Sequence, residues 1–281
     1  MQRKNLFLFT LQKTLTSRIF GVYVLSLLLL PPIPLLLEYF TCLQRRSYSL
    51  NGRATLHMMD FSLYYVFFIA VALAVLIPLV RAQNKMALGD KLSSHKRTFL
   101  RELALFCVLG LLGVCCTLSS YMLTTGILTP ICAATRIDTH WDFTLPPFLE
   151  PFILSFFSIF SFIVLFLFVS SLCPKKLPAA LINLSLWGIS TYLYIPIDRK
   201  LVFPEGITHT QALEEQVQLY GFLKYFNPGS FAVEISKFYV FNGELMLRML
   251  FRASLFTIPL LLIAFLTACI KDLLAHRRAK S

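Results

Sequence analysis

FILSFFSIFSFIVLFLFVSSLC, residues Phe152 to Cys173, runs for 22 residues without a charge and interleaves seven phenylalanines with serines. An α-helix rises 1.5 Å per residue, so such a run reaches about 33 Å, close to the thickness of the hydrocarbon core of a bilayer. A helix on the surface of a soluble protein keeps one polar face toward water, and this stretch has none. It therefore predicts a transmembrane helix, and the reading of the remaining chain turns on how many more there are.

Working outward, Cys173-Pro174-Lys175-Lys176 is a tight turn that leads into a span at about 177–197. Upstream lie apolar runs at about 19–37, 61–80 and 103–127, ahead of the span at 151–173, and a last run covers about 249–270. Pro31, Pro32 and Pro34 fall in the second half of the first run and must break or kink it there. Bundles tolerate such kinks because neighbouring groups re-satisfy the freed carbonyls.

Residues 1–18 place Phe7, Leu11 and Leu15 at helical spacing among Arg3, Lys4, Lys13 and Arg18, the pattern of an interfacial amphipathic helix. A secretory signal is the competing account, but the apolar stretch that follows is too long for one and no small-residue cleavage site is evident. The connection Asp198 to Arg248 is amphipathic, with Leu213, Val217 and Tyr220 on one helical face and Asn227-Pro228-Gly229 as a breaker. The expected fold is an all-α membrane protein. An amphipathic connector helix at 1–18 precedes a single transmembrane domain at 19–281, a six-transmembrane-helix bundle with short extracellular helices before its last span.

Composition agrees: 57% of the 281 residues are hydrophobic and 14% charged, against about 25% charged in soluble domains. The net charge of +12 could suggest nucleic acid, but its distribution follows topology. With the N-terminus inside, 16 of the 26 Lys and Arg fall in the inner segments, whereas 11 of the 14 Asp and Glu fall outside, giving +13 on one side and −1 on the other. Positive charge collects on the cytoplasmic side of short loops, so both termini are expected in the cytoplasm.

Chemistry-bearing motifs are sparse. The seven cysteines form no CxxC pair and mostly sit in apolar runs, as buried small hydrophobes do. Cys42 and Cys132 would both fall on the outer side, where a disulfide is conceivable, though spacing cannot bring two sulfurs together. His57, His95, His140, His209 and His276 show no metal-ligand spacing, so no metal site and no catalytic residue is expected. Glu38, Glu102 and Glu150 stand at span ends as anchors, and Glu214-Glu215 reads as a solvated helix face. Trp141, Trp187, Tyr192 and Tyr194 fit interfacial anchoring, and no internal repeat is visible.

The stretch Arg81-Ala-Gln-Asn-Lys-Met-Ala-Leu-Gly-Asp-Lys-Leu-Ser-Ser-His-Lys-Arg-Thr-Phe-Leu-Arg101 carries six basic residues between two spans. Asp90 or Ser93 could cap a short helix there, and an ordinary positive-inside loop accounts for the same composition. The order of parts resembles the membrane subunits of ABC exporters of the type-2 (ABC-2) class: an amphipathic first helix, one span, an outer loop, a second span, a short basic inner loop, then four more spans. That family's inner loop holds a coupling helix near a Ser-Leu-Pro-x-x-Arg run. Ser93, Ser94, Arg97 and Phe99 fall near its places, with Ser93-Ser94 standing where Leu-Pro would be. Asn227-Pro228 also resembles the Ser-Pro or Asn-Pro ahead of the family's last span.

The resemblance implies a permease subunit that works as a homo- or heterodimer in a bacterial plasma membrane and exports a peptide, drug or lipid-like substrate. A separate cytoplasmic ATPase would hold ATP and Mg and dock on Asp90, Ser93, Ser94, Arg97 and Phe99, since no phosphate loop of the G-x-x-x-x-G-K-[ST] type occurs here. The path would lie between two copies, with Asn183, Ser185 and Ser190 as candidate lining residues; helix-to-helix hydrogen bonding is their other reading. A non-transporting anchor or immunity-type protein and, further off, a membrane-embedded enzyme are the rival classes.

Overall fold

The computed structural model describes residues 6–48, 54–58, 61–88, 94–141, 149–173, 175–192 and 243–278. Its helices are α1 (Leu6–Leu15), α2 (Arg18–Leu29), α3 (Pro32–Tyr48), α4 (Phe61–Leu88), α5 (His95–Ala134), α6 (Leu149–Leu172), α7 (Lys176–Tyr192) and α8 (Gly243–Arg278). The described residues also form two strands, β1 (Ala54–Met58) and β2 (Ile137–Trp141). Four helical stretches, Arg18–Arg45, Val66–Met86, His95–Ala134 and Ala253–Arg277, are long and apolar enough to cross a membrane. The protein is a mostly helical, membrane-embedded bundle. The expected short outer helices between Asp198 and Arg248 lie almost wholly outside the described residues.

The kink foreseen at the prolines is real. α2 ends at Leu29 and α3 restarts at Pro32, yet a single buried stripe of Tyr23, Leu27, Leu35, Tyr39 and Cys42 continues across the break toward the core. Pro32 has no N–H to give the Leu28 carbonyl four residues earlier. The Ser120 hydroxyl of α5 donates to that carbonyl at 2.6 Å instead. Pro78 inside α4 creates the same vacancy at the Ala74 carbonyl, and the Asn183 side-chain amide of α7 donates there at 3.2 Å. Neighbouring helices thus repair both ladders, as a bilayer without water requires.

α4 and α6 are the central helices. Ala70, Leu73, Ala74, Ile77 and Val80 of α4 and Ile159, Phe162, Ile163, Phe166 and Leu167 of α6 are fully buried. α6 buries most of its described middle, with Phe157 and Leu172 exposed toward its ends. By contrast α8 exposes Leu255, Ile258, Leu262, Leu266 and Ile270, and α2 exposes Val22, Leu25 and Leu29. Such apolar stripes face lipid in a membrane protein without cost.

Close approach of α2 to α5 is set by one glycine. The Tyr23 hydroxyl donates to the Leu109 carbonyl at 2.9 Å, directly over Gly113. A Cβ on Gly113 would collide with that hydroxyl and would press Ile69 and Leu27 at 3.2 and 3.3 Å.

Three features depart from the expectations. α5 is 40 residues long, about 60 Å, so the apolar run 103–127 is the middle of a rod that overhangs it at both ends. β1 and β2 pair in parallel, Ala54 with Ile137 through Met58 with Trp141, joining segments that the expected fold left as loops. In α1, expected to lie at the membrane interface, Phe7 and Leu11 pack against the core, Leu15 is exposed, and the buried positions are Thr10 and Thr14. Each of those threonines donates to the carbonyl four residues back, at 2.6 and 2.8 Å, which hides its polarity inside its own helix.

Candidate functional site

One end of the bundle gathers the polar chemistry. α4 runs toward it and α5 starts from it, and a buried ion pair ties the two: Arg81 Nε lies 3.0 Å from a Glu102 carboxylate oxygen, with side-chain exposures of 25% and 7%. α6 also ends here. Its last turn leaves orphan carbonyls, and Lys271 of α8 donates to that of Ser171 at 2.5 Å. Arg18, Lys85, Lys96, Arg97, Arg101, Lys175, Lys176 and Arg277 belong to the same end of their helices. These helix ends carry the basic residues of segments that the sequence separates by up to 259 positions.

The first turn of α5 is held from a distance. Ser94 stands at the N-cap position, but its hydroxyl makes no capping bond to the helix. Asp272 of α8 supplies the cap: its two carboxylate oxygens accept the backbone N–H groups of His95 and Lys96, the latter at 3.2 Å. A carboxylate at a helix N-terminus gains from the unsatisfied N–H groups and from the positive end of the helix dipole. Arg81–Glu102 and Asp272 together clamp α4, α5 and α8 at the level where the basic segment 81–101 turns.

Of the residues expected to couple to an ATPase, Arg97 points outward and is exposed, Ser94 is half-buried at the N-cap, and Phe99 is 3% exposed within the hydrophobic core. Asp90 and Ser93 lie outside the described residues. A helical turn thus presents Arg97 to the surroundings and anchors itself through Phe99 one side away. Asp272 was missed as a member of this site because it is 177 residues from His95, and an acidic residue in a basic tail reads as a passing charge.

The three candidates for a translocation path are not on one face. Asn183 is fully buried and is committed to Ala74 and, at 3.4 Å, to the Ser170 hydroxyl. Ser190, seven residues on and so on the same face, is 8% exposed, whereas Ser185 is exposed on the opposite side of α7. Cys42 and Cys132 are both buried, and no disulfide joins them. Among the described residues no group of three or more His, Cys, Asp or Glu is placed to hold a metal.

Compared with family models, curated proteins and solved structures, the chain matches none.

Proposed function

We propose that the chain is the membrane-spanning permease subunit of an ATP-driven exporter of the ABC-2 type, with α6 and α7 completing six spans. It sits in the plasma membrane with both termini in the cytoplasm, pairs with a second permease copy, and takes its energy from a separate ATPase that holds ATP and Mg. The cargo is a peptide, drug or lipid-like molecule.

One observation carries this reading: a short basic segment between two helices ends on an exposed Arg97, and that turn is clamped to the rest of the bundle through Asp272 and Arg81–Glu102. A docked partner pushing on the turn would move a 40-residue rod together with α4 and α8, which is how a small displacement becomes a rigid-body change. An ordinary orienting loop has no need of a side-chain clamp from the last helix.

The test is co-purification of the chain from its own cell in mild detergent, followed by ATP hydrolysis by the captured complex. An ATPase polypeptide should come down with the wild-type chain, and Arg97→Ala should reduce its recovery at least tenfold. Capture of a different partner, with no nucleotide hydrolysis, would favour the anchor or immunity-type reading instead.

A further inference from the structure

The clamp at the basic end leaves donors over. Arg81 Nε pairs with Glu102 Oε2 at 3.0 Å, but Nη1 of Arg81, the side-chain amide nitrogen of Asn84 and Nε of Arg101 are buried without a hydrogen-bond partner, against one buried acceptor, Glu102 Oε2, in the same position. Asn84 is 94% buried by area, one turn past Arg81 on α4. Arg101 immediately precedes Glu102, and its charge acts on that carboxylate. Lys271 is close enough to Arg81 for the two cations to repel, and it has two N–H groups left after its bond to Ser171.

Buried donors left unpaired cost about 1–3 kcal/mol each, and native proteins rarely keep several together without something to satisfy them. The charges here do not balance either. Arg81 and Arg101 act on one carboxylate, Glu102, and Lys271 adds a third cation beside Arg81, while the neighbouring Asp272 is spent on the N–H groups of α5. What would complete such a cluster is a compact anion with several acceptor oxygens. Guanidinium forks match phosphate in that role, and basic pockets between membrane helices at headgroup depth hold acidic lipids. Arg81 and Arg101 are half-buried as residues, so the headgroup layer meets their side chains, and a small side-chain movement would bring their covered nitrogens to it.

We propose that the basic cluster at the ends of α4, α5 and α8 binds a phosphate group, held by Arg81, Asn84, Arg101 and Lys271. A phosphate there would screen the repulsion among the three cations and lock the clamp beneath the basic turn. The site is independent of whether the chain transports anything.

The experiment is thermal unfolding of the full chain in phosphatidylcholine nanodiscs, with and without phosphatidylglycerol, and separately with inorganic phosphate. Phosphatidylglycerol should raise the wild-type midpoint on the order of 3 °C, and Asn84→Ala and Arg101→Gln, which leave the Arg81–Glu102 pair intact, should each lose at least half of that rise. An equal rise from inorganic phosphate, lost in the same variants, assigns the site to free phosphate. No rise from either, or a rise unchanged in both variants, overturns the proposal. Should a variant fail to fold, native mass spectrometry of the wild type decides. Phosphatidylglycerol retained about tenfold over phosphatidylcholine supports the site, and equal retention refutes it.

Discussion

The side-chain amide of Asn183 donates to the Ala74 carbonyl at 3.2 Å, and that carbonyl is the one which Pro78, four residues on, deprives of its backbone partner. Polar residues in apolar helices invite assignment to a pore, but here the amide is spent on repairing a proline kink. Asn183→Ala should destabilise the bundle by about 1 kcal/mol. In a Pro78→Ala background the restored N–H serves Ala74, so the same substitution should cost measurably less. A double-mutant cycle on denaturation midpoints reads the difference, and purely additive effects would contradict the link.

Gly113→Ala should be among the most harmful single-methyl additions in the chain. Its Cβ has nowhere to go beneath Tyr23, Ile69 and Leu27, and overpacking of this kind costs about 1–3 kcal/mol. Tyr23→Phe removes the colliding hydroxyl together with its bond to Leu109, so Gly113→Ala should be better tolerated in that background. Detergent stability of the four combinations checks it.

Removing Glu102 strands a guanidinium that is three-quarters buried. Glu102→Ala should cost about 2 kcal/mol, discounted from a fully buried pair because Arg81 keeps some access to solvent. Arg81→Met with Glu102→Leu removes both charges and should recover much of the loss, since desolvating the pair offsets most of its attraction. Chemical unfolding of single and double variants separates the two outcomes.

Asp272→Ala should loosen α5 at its first turn without unfolding the rest. Loss of a helix cap costs about 1 kcal/mol, and the effect should be confined to the N–H groups it frees. Hydrogen exchange should quicken at His95 and Lys96 while the centre of α5 near Leu109 stays protected.

These relationships mark where the sequence stops being legible. Apolar length alone locates the helical runs, and the kink at Pro31 and Pro32 follows from proline's missing donor. What cannot be read is which way a polar residue turns. Asn183 and Ser185 look alike two residues apart in one apolar helix, yet lie on opposite faces, because α4 with its gap at Ala74 stands on only one side. Thr10 and Thr14 are polar and yet buried, since a threonine can return its hydroxyl to its own helix. The Asp272 cap and the pairing of β1 with β2 join distant segments that only the assembled bundle brings together. The basic segment was visible as a stretch of charge; its clamp was not.

Labelling single cysteines with an impermeant maleimide in intact and permeabilised cells, in a chain stripped of its native cysteines, tests the six-span topology most directly. A cysteine at the exposed Lys96 should react only after permeabilisation, and one at Gln216 should react in intact cells. Equal labelling of both from outside would contradict it.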